Sequence, residues 1–279
     1  MRILVVVVTY KSSHVIQQTL NAVFRQLRPQ DSLVVVNNGD TVIPDYDQNM
    51  LSFSFIKHDS GKNLGFCGGN NLGLRLGNWS DFDAVLLLNP DLILPDHWLN
   101  TAVEYLTNHA SDDLGILSGP LISYDFSHHQ PLPRIDSLGI GRQGLRWQDL
   151  QQGQTFDGDI NTLTFPHQPE AICGALMLLP RAAIAAVIEN GQLFDERFSS
   201  YKEDIDLCLR LRNADKKLIL EKSLLAYHGR GWSNDRRAVP YHLRLQSARN
   251  EILLHWKNRK RYLFISILKW CYVRLLEKK

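Results

Sequence analysis

The sequence predicts an α/β fold: a mostly parallel central sheet flanked by helices. Three observations carry the prediction. Short Val/Ile/Leu-rich runs of strand length occupy 3–8, 32–36 and 84–88, with no polar residue after Ser32 at the start of the second, as in strands covered on both faces. Helical patterns separate them, the rhythm of β-α-β units. Each run then stops at polar turn residues, and ligands of such sheets bind beyond the carboxyl ends of the strands. Thr9, Asn37-Asn38 and Asn89-Pro90-Asp91 all fall at such ends.

Each element follows in order. Residues 3–8 read as the first buried strand. Ser12-Ser13 can cap the helix that follows, in which Val15, Ile16, Leu20 and Val23-Phe24 recur at helical spacing. Residues 32–36 form the second strand and end in Asn37-Asn38-Gly39-Asp40, a strong turn signal. Residues 51–56 form a third strand and 84–88 a fourth. Residues 124–168, rich in Gln, Gly, Asp and His, read as a long, partly structured insertion or hairpin region, and loops of that length are usually functional. An apolar run returns at 171–179, and helices are expected at 181–188, 204–211 and through 241–279.

Composition excludes several classes. In 279 residues, 44% are hydrophobic and 22% charged, ordinary globular values that exclude a disordered or collagen-like chain. Cys67, Cys173, Cys208 and Cys271 lie far apart with no CxxC pair, against a zinc knuckle or disulfide framework and in keeping with a reducing cytosol. The six apolar residues after Met1-Arg2 are too few for a signal peptide, and no run reaches a membrane span. A formal charge of +2 hides an asymmetry: residues 236–279 carry 12 Lys+Arg against 2 Asp+Glu, and the rest of the chain is net acidic. A basic tail points to an anionic partner.

Four constellations could carry chemistry. Asn89-Pro90-Asp91 can hold a hard divalent cation against a diphosphate, because Mg²⁺ usually takes one or two carboxylates plus phosphate oxygens; the same residues also make an ordinary turn. In Asn63-Leu64-Gly65-Phe66-Cys67-Gly68-Gly69-Asn70-Asn71, three glycines suit a close backbone approach to a ligand, or a loop and helix cap. It fits neither GxGxxG nor a Walker A loop. Glu203, Asp204 and Asp206 crowd a helix start, where the helix dipole favours acids, and where one carboxylate could act as a general base. His228, in His228-Gly229-Arg230-Gly231-Trp232-Ser233, could be a metal ligand or phosphate contact, or simply structural.

Taken together and in order, these segments resemble the family 2 glycosyltransferases, inverting enzymes of the GT-A fold, and most of all their bacterial rhamnosyltransferase-like branch. The resemblance rests on Val5-Val6-Val7-Val8-Thr9-Tyr10, Val35-Val36-Asn37-Asn38, the Asn63–Asn71 segment, Leu88-Asn89-Pro90-Asp91, Gly174-Ala175-Leu176-Met177, Phe194-Asp195-Glu196-Arg197-Phe198, Glu203-Asp204-Ile205-Asp206 and His228. It implies a single Rossmann-like sheet with a helical, basic C-terminal tail. It also implies a donor site at Thr9, Tyr10, Asn37, Asn38, Asn63, Gly68, Asn70, Asn89 and Asp91. Asp91, with His228, would hold Mg²⁺ or Mn²⁺ on the donor diphosphate. Asp204 would be the catalytic base, and Gly174, Ala175 and Glu203 would support the acceptor side. Relatives usually carry an Asp that contacts the pyrimidine where Val36 stands here, which leaves dTDP- and UDP-sugars both open as donors.

On this reading residues 1–235 form the transferase domain, with a nucleotide-sugar half (1–120) and an acceptor and catalytic half (121–235), and residues 236–279 form the tail. Within 257–279, Phe264, Ile267-Leu268, Cys271 and Leu275 make one apolar stripe flanked by basic residues. Such a helix suits an anionic membrane surface, although packing on the domain would use the same stripe. The expected protein is cytoplasmic and peripheral on the inner membrane face, binds no nucleic acid, and transfers rhamnose to a polyprenyl-linked glycan. The alternative is a sugar-nucleotide-binding scaffold of the same fold without turnover, favoured by Val36 and by Asn89 in place of a first acid.

Overall fold

The computed structural model describes residues 1–109, 111–144, 146–229 and 239–277. Arg230 to Ser233 and the last two lysines lie outside the described residues.

A seven-stranded sheet forms the centre. Its strands are β1 (Ile3–Thr9), β2 (Ser32–Asn37), β3 (Ser54–Asp59), β4 (Ala84–Leu88), β6 (Leu114–Ser118), β11 (Leu176–Pro180) and β12 (Lys217–Leu220). They lie in the order β12-β6-β11-β4-β1-β2-β3. All neighbours are parallel except β11, which runs antiparallel to both β4 and β6. The mostly parallel sheet expected from the hydrophobic runs is therefore present. Successive residues of β1 point to opposite faces: Leu4 and Val6 enter one core, and Ile3, Val5 and Val7 the other. Both faces are covered, which is why the run contains no polar residue.

Helices α1 (Ile16–Phe24) and α3 (Trp98–Asn108) lie on one face; α2 (Gly65–Leu76), α4 (Arg181–Val187) and α5 (Glu203–Asn213) lie on the other. A second sheet joins β5 (Leu92–Ile93), β13 (Ala226–His228), β7 (Leu121–Asp125) and β8 (Gln130–Ser137) in that order. The 124–168 region holds more regular structure than its composition suggests. It supplies β8 and the hairpin β9 (Ile140–Gln143) and β10 (Arg146–Asp149), and buries Ile135, Leu138, Trp147 and Phe156 in the core.

Three expectations are corrected. Ser12-Ser13 do not cap α1: Ser12 Oγ bonds the Tyr10 carbonyl, and Ser13 Oγ accepts from the Val42 amide. The third strand starts at Ser54, not 51, and runs through Lys57 and His58. As an edge strand it has no need of a continuous apolar run. The 241–279 segment forms two helices, α6 (Tyr241–Asn258) and α7 (Leu263–Leu276), joined by a short turn at 259–262.

The glycine-rich segment explains how α2 seats. A Cβ on Gly69 would lie 2.5 Å from Val8 Cγ1, and one on Gly73 would lie 2.4 Å from Val6 Cγ1. One on Gly77 would lie 2.6 Å from Leu4 Cδ1. Glycine every fourth residue thus meets every second residue of β1, and the helix backbone rests directly on the strand.

Candidate active site

The carboxyl end of β4, the amino end of the antiparallel β11, the start of α5 and the β9–β10 hairpin enclose a cavity of about 510 Å³ lined by Asn89, Gly174, Ala175, Glu203, Asp204 and His228, with Phe66, Trp147, Asp149 and Tyr201 among the other walls. Sequence-predicted residues from four separate segments therefore converge on one space.

On the β4 side, Asn89 donates its amide to the Ala175 carbonyl at 2.9 Å, which fixes the strand end against β11. Asp91 follows, and its carbonyl accepts from the Gly229 amide. The pairing of β13 with β5 sets His228 opposite Leu92. His228 Nδ1 lies 2.8 Å from Asp136 Oδ2, and its Nε2 lies 3.3 Å from Asp91 Oδ1. The second contact suits an ion pair but is not aligned as a hydrogen bond, so the buried Nε2 has no hydrogen-bond partner. Burial lowers the affinity of the imidazole for a proton, but the two carboxylates outweigh it and hold its pKa at about 9.

This arrangement fits a divalent cation. Asp91 offers one carboxylate and His228 Nε2 one nitrogen once a cation displaces its proton, while Asp136 holds the opposite ring nitrogen, the usual orienting partner of a ligating histidine. No three His, Cys, Asp or Glu side chains converge as a complete cage among the described residues. The other coordination positions would belong to diphosphate and water, as is common for Mg²⁺.

On the α5 side, the three acids have three separate fates. Asp206 is buried in ion pairs with Arg210 at 2.9 Å and Lys257 at 3.1 Å. Asp204 faces the cavity; its Oδ1 accepts from the Ile205 amide at 2.8 Å and its Oδ2 from the Gly174 amide at 3.3 Å. Glu203 is buried, and its Oε2 has no hydrogen-bond partner. Burial raises the pKa of both Glu203 and Asp204, and the negative charge of Asp204 pushes Glu203 higher still.

The turn before α5 is strained. Ser199, Tyr201 and Lys202 all adopt left-handed backbone, with φ of 61°, 74° and 75°. Such positions cost on the order of 1–3 kcal/mol each and gather at functional sites. Asn250 of α6 holds the turn: its Nδ2 lies 2.7, 2.8 and 2.9 Å from the carbonyls of Phe198, Ser200 and Tyr201.

The remaining predicted donor residues cluster at the ends of β1 and β2. Thr9 is buried and donates from Oγ1 to Asn37 Oδ1, while Tyr10 is exposed. Asn37 Nδ2 donates to the Thr41 carbonyl. Asn38 and Asn70 are buried and bonded within the protein: Asn38 to the Leu64 amide and Gly65 carbonyl, Asn70 to the Phe66 carbonyl. Asn63 caps α2 through the Gly65 amide, and Gly68 packs against Leu64 and Glu196. Val36 is fully buried in the core with α2, so the first residue at the end of β2 able to meet a base is Asn37.

Sequence reasoning missed Asp136, Asn250 and Trp147. Asp136 sits in a strand whose neighbours Ile135 and Ser137 are also buried, so no alternation marks it. Asn250 lies in mid-helix and shows its role only through loop carbonyls about 50 residues away. Trp147 did carry a signal, a lone indole in a polar, Gln-rich stretch.

Comparison with known proteins identifies the family and the fold. Residues 4–157 match the family described as glycosyl transferase family 2. The low-salt glycan biosynthesis hexosyltransferase Agl10 of Haloferax volcanii is 24% identical over 99% of this chain and 85% of its own. A mannosyltransferase from Pyrobaculum calidifontis, solved with GDP-Man and Mn²⁺, superposes with a TM-score of 0.56 at 15% identity, covering 98% of this chain and 70% of its own. GalNAc-T7, solved with UDP, GalNAc and Mn²⁺, superposes with a TM-score of 0.65 at 10% identity, covering 95% and 50%. The fold is thus that of GT-A glycosyltransferases.

Proposed function

Since the chain belongs to glycosyl transferase family 2, we propose that it is a metal-dependent, inverting glycosyltransferase that moves a sugar from a nucleotide diphosphate donor to a glycan acceptor. One observation carries the reading: His228, oriented by Asp136 and 3.3 Å from Asp91, and the Asp204 carboxylate both line the same cavity.

Asp91 and His228 would hold Mg²⁺ or Mn²⁺ against the donor diphosphate, where the cation would supply charge neutralisation for the leaving group. Thr9, Tyr10, Asn37 and Asn63 line the approach for the nucleoside, with Asn38, Gly68 and Asn70 shaping the loop behind them. Asp204 takes the proton of the acceptor hydroxyl as that oxygen bonds to the anomeric carbon and the carbon–diphosphate oxygen bond breaks. A single displacement inverts the anomeric centre and requires no enzyme nucleophile. Burial favours Asp204 as base, because a raised pKa gives it more pull on the proton. Gly174 donates its amide to Asp204 and, with Ala175 and Glu203, shapes the acceptor side.

Rhamnose from a dTDP- or UDP-linked donor and a polyprenyl-linked glycan of surface-polysaccharide synthesis are the substrates proposed. Residues 1–120 serve the donor, 121–235 the acceptor and chemistry, and 236–279 the membrane. No helix among the described residues is long and apolar enough to cross a membrane. Residues 257–279 support a peripheral contact instead: Phe264, Leu268 and Leu275 of α7 are 69%, 54% and 74% exposed among basic residues.

The test is Asp204→Asn. Turnover of sugar nucleotide with membranes as acceptor source should fall about 10²–10⁴-fold, with binding of nucleotide diphosphate and Mn²⁺ retained. Undiminished glycan product from this variant would refute the assignment.

A further inference from the structure

Where the β9–β10 hairpin meets the α6–α7 turn, three arginines crowd two aromatic rings. The Arg142 guanidinium lies 4.1 Å from the centre of the Tyr262 ring and 5.7 Å from that of Trp147. Arg259 lies 5.6 Å from the Trp147 ring, and Arg261 lies 4.7 Å from the Tyr262 ring. None of the three makes a salt bridge among the described residues. Glu170, the nearby acid, accepts from the Arg142 backbone amide and not from its guanidinium. Arg142 Nη2 donates to the Gly144 carbonyl, and its buried Nε has no hydrogen-bond partner.

No carboxylate of the described residues pairs with these guanidiniums, and the aromatic faces meet only part of their charge. The arrangement is complete when an anion sits among them, and the planar forks of arginine match phosphate oxygens. Its position narrows the choice of anion. Trp147 lies under both Arg142 and Arg259 and is itself a wall of the cavity that holds Asp204. Tyr262 leads directly into α7, whose Phe264, Leu268 and Leu275 are exposed. Cavity, arginines and apolar helix face follow one another, in the order sugar, phosphate, hydrocarbon.

We propose that Arg142, Arg259 and Arg261 form the binding site for the phosphate or diphosphate that joins the acceptor glycan to its lipid. The proposal deepens the transferase reading and rests on it, but is tested separately.

Farnesyl diphosphate is the probe, titrated into the full chain in EDTA so that the metal-dependent donor site cannot hold it. Wild type should bind it at least tenfold more tightly than farnesol or inorganic diphosphate. Arg142→Gln/Arg259→Gln should lose at least tenfold, while Arg142→Lys/Arg259→Lys recovers part of the loss. Binding of UDP or dTDP with Mn²⁺ should be the same in wild type and both variants, so a failed donor site and a failed acceptor site are told apart. Unchanged binding of farnesyl diphosphate by the glutamine variant would overturn the proposal. Full displacement of the probe by phosphatidylglycerol vesicles, with equal loss of both ligands in the variant, would also overturn it, because the arginines would then read lipid headgroups. If the glutamine variant does not fold, wild type decides alone: inorganic diphosphate binding as tightly as farnesyl diphosphate refutes the assignment.

Discussion

Two segments that touch one another have solved the same backbone problem in opposite ways. The start of α2 requires left-handed backbone at one position and uses glycine there: Gly65 has φ +72°. The turn from Phe198 to Lys202 requires it at three and uses serine, tyrosine and lysine. They meet where a Cβ on Gly65 would fall 2.5 Å from Ser199 Oγ and 2.7 Å from the Ser199 carbonyl oxygen, and where the Cys67 amide donates to that same carbonyl. In α2 the glycines serve packing, so the conformation costs little and the helix rests on β1 without strain. In the turn, strain is retained directly ahead of Glu203 and Asp204, and outside contacts hold it. The difference separates scaffold from chemistry.

The most disruptive way to break the contrast is Gly65→Val. It places a β-branched side chain at positive φ and into the Ser199 backbone, and should cost roughly 2–6 kcal/mol. Thermal unfolding should show a drop of many degrees. A variant as stable as wild type would mean that the two segments are not locked together.

Asn250→Ala sharpens the contrast from the other side. It removes the donor that three turn carbonyls share and should cost about 1–3 kcal/mol. Because Asn250 positions Asp204 from a distance, kcat should fall while the affinity for nucleotide diphosphate stays unchanged. A parallel loss of both would make Asn250 a general stabiliser.

The smallest effect is a pH dependence of stability. The folded pKa of Glu203 is raised, by burial first and by Asp204 second. A raised folded pKa means that the folded protein binds the proton more tightly than the unfolded chain. This contribution is therefore complete below the unfolded value of about 4.3 and is lost as pH rises through the folded one. Glu203→Gln removes the dependence. Relative to wild type it should gain stability progressively as pH rises from 5 to 8 in denaturant unfolding. A constant difference across that range would contradict the buried, poorly satisfied carboxyl.

Much of this was legible in the sequence, for reasons that can be named. β1, β2 and β4 were readable because strands covered on both faces must be continuously apolar. Asn89, Asp91, Glu203 and Asp204 stood out because turns at strand ends and acids at a helix start are local patterns, while their proposed roles, and that of His228, came only from the family resemblance. What escaped depends on distant partners. The glycines of α2 look the same whether they approach a ligand or a strand; only Val8, Val6 and Leu4 beneath them decide. The three acids at α5 look equivalent until Arg210 and Lys257 neutralise Asp206 and Gly174 takes hold of Asp204. Asp136 carries no local mark at all, since its importance comes entirely from the His228 ring it meets across the intervening strand β7.

The most direct test of the central claim is calorimetric titration of the full chain with UDP, dTDP and GDP, each with and without Mn²⁺, for wild type and for His228→Ala. The account predicts that a pyrimidine diphosphate binds wild type only when Mn²⁺ is present, and that His228→Ala loses the metal-dependent part. Equal binding with and without Mn²⁺, or metal-dependent binding that survives in His228→Ala, would contradict the assignment of Asp91 and His228 as the metal-holding pair.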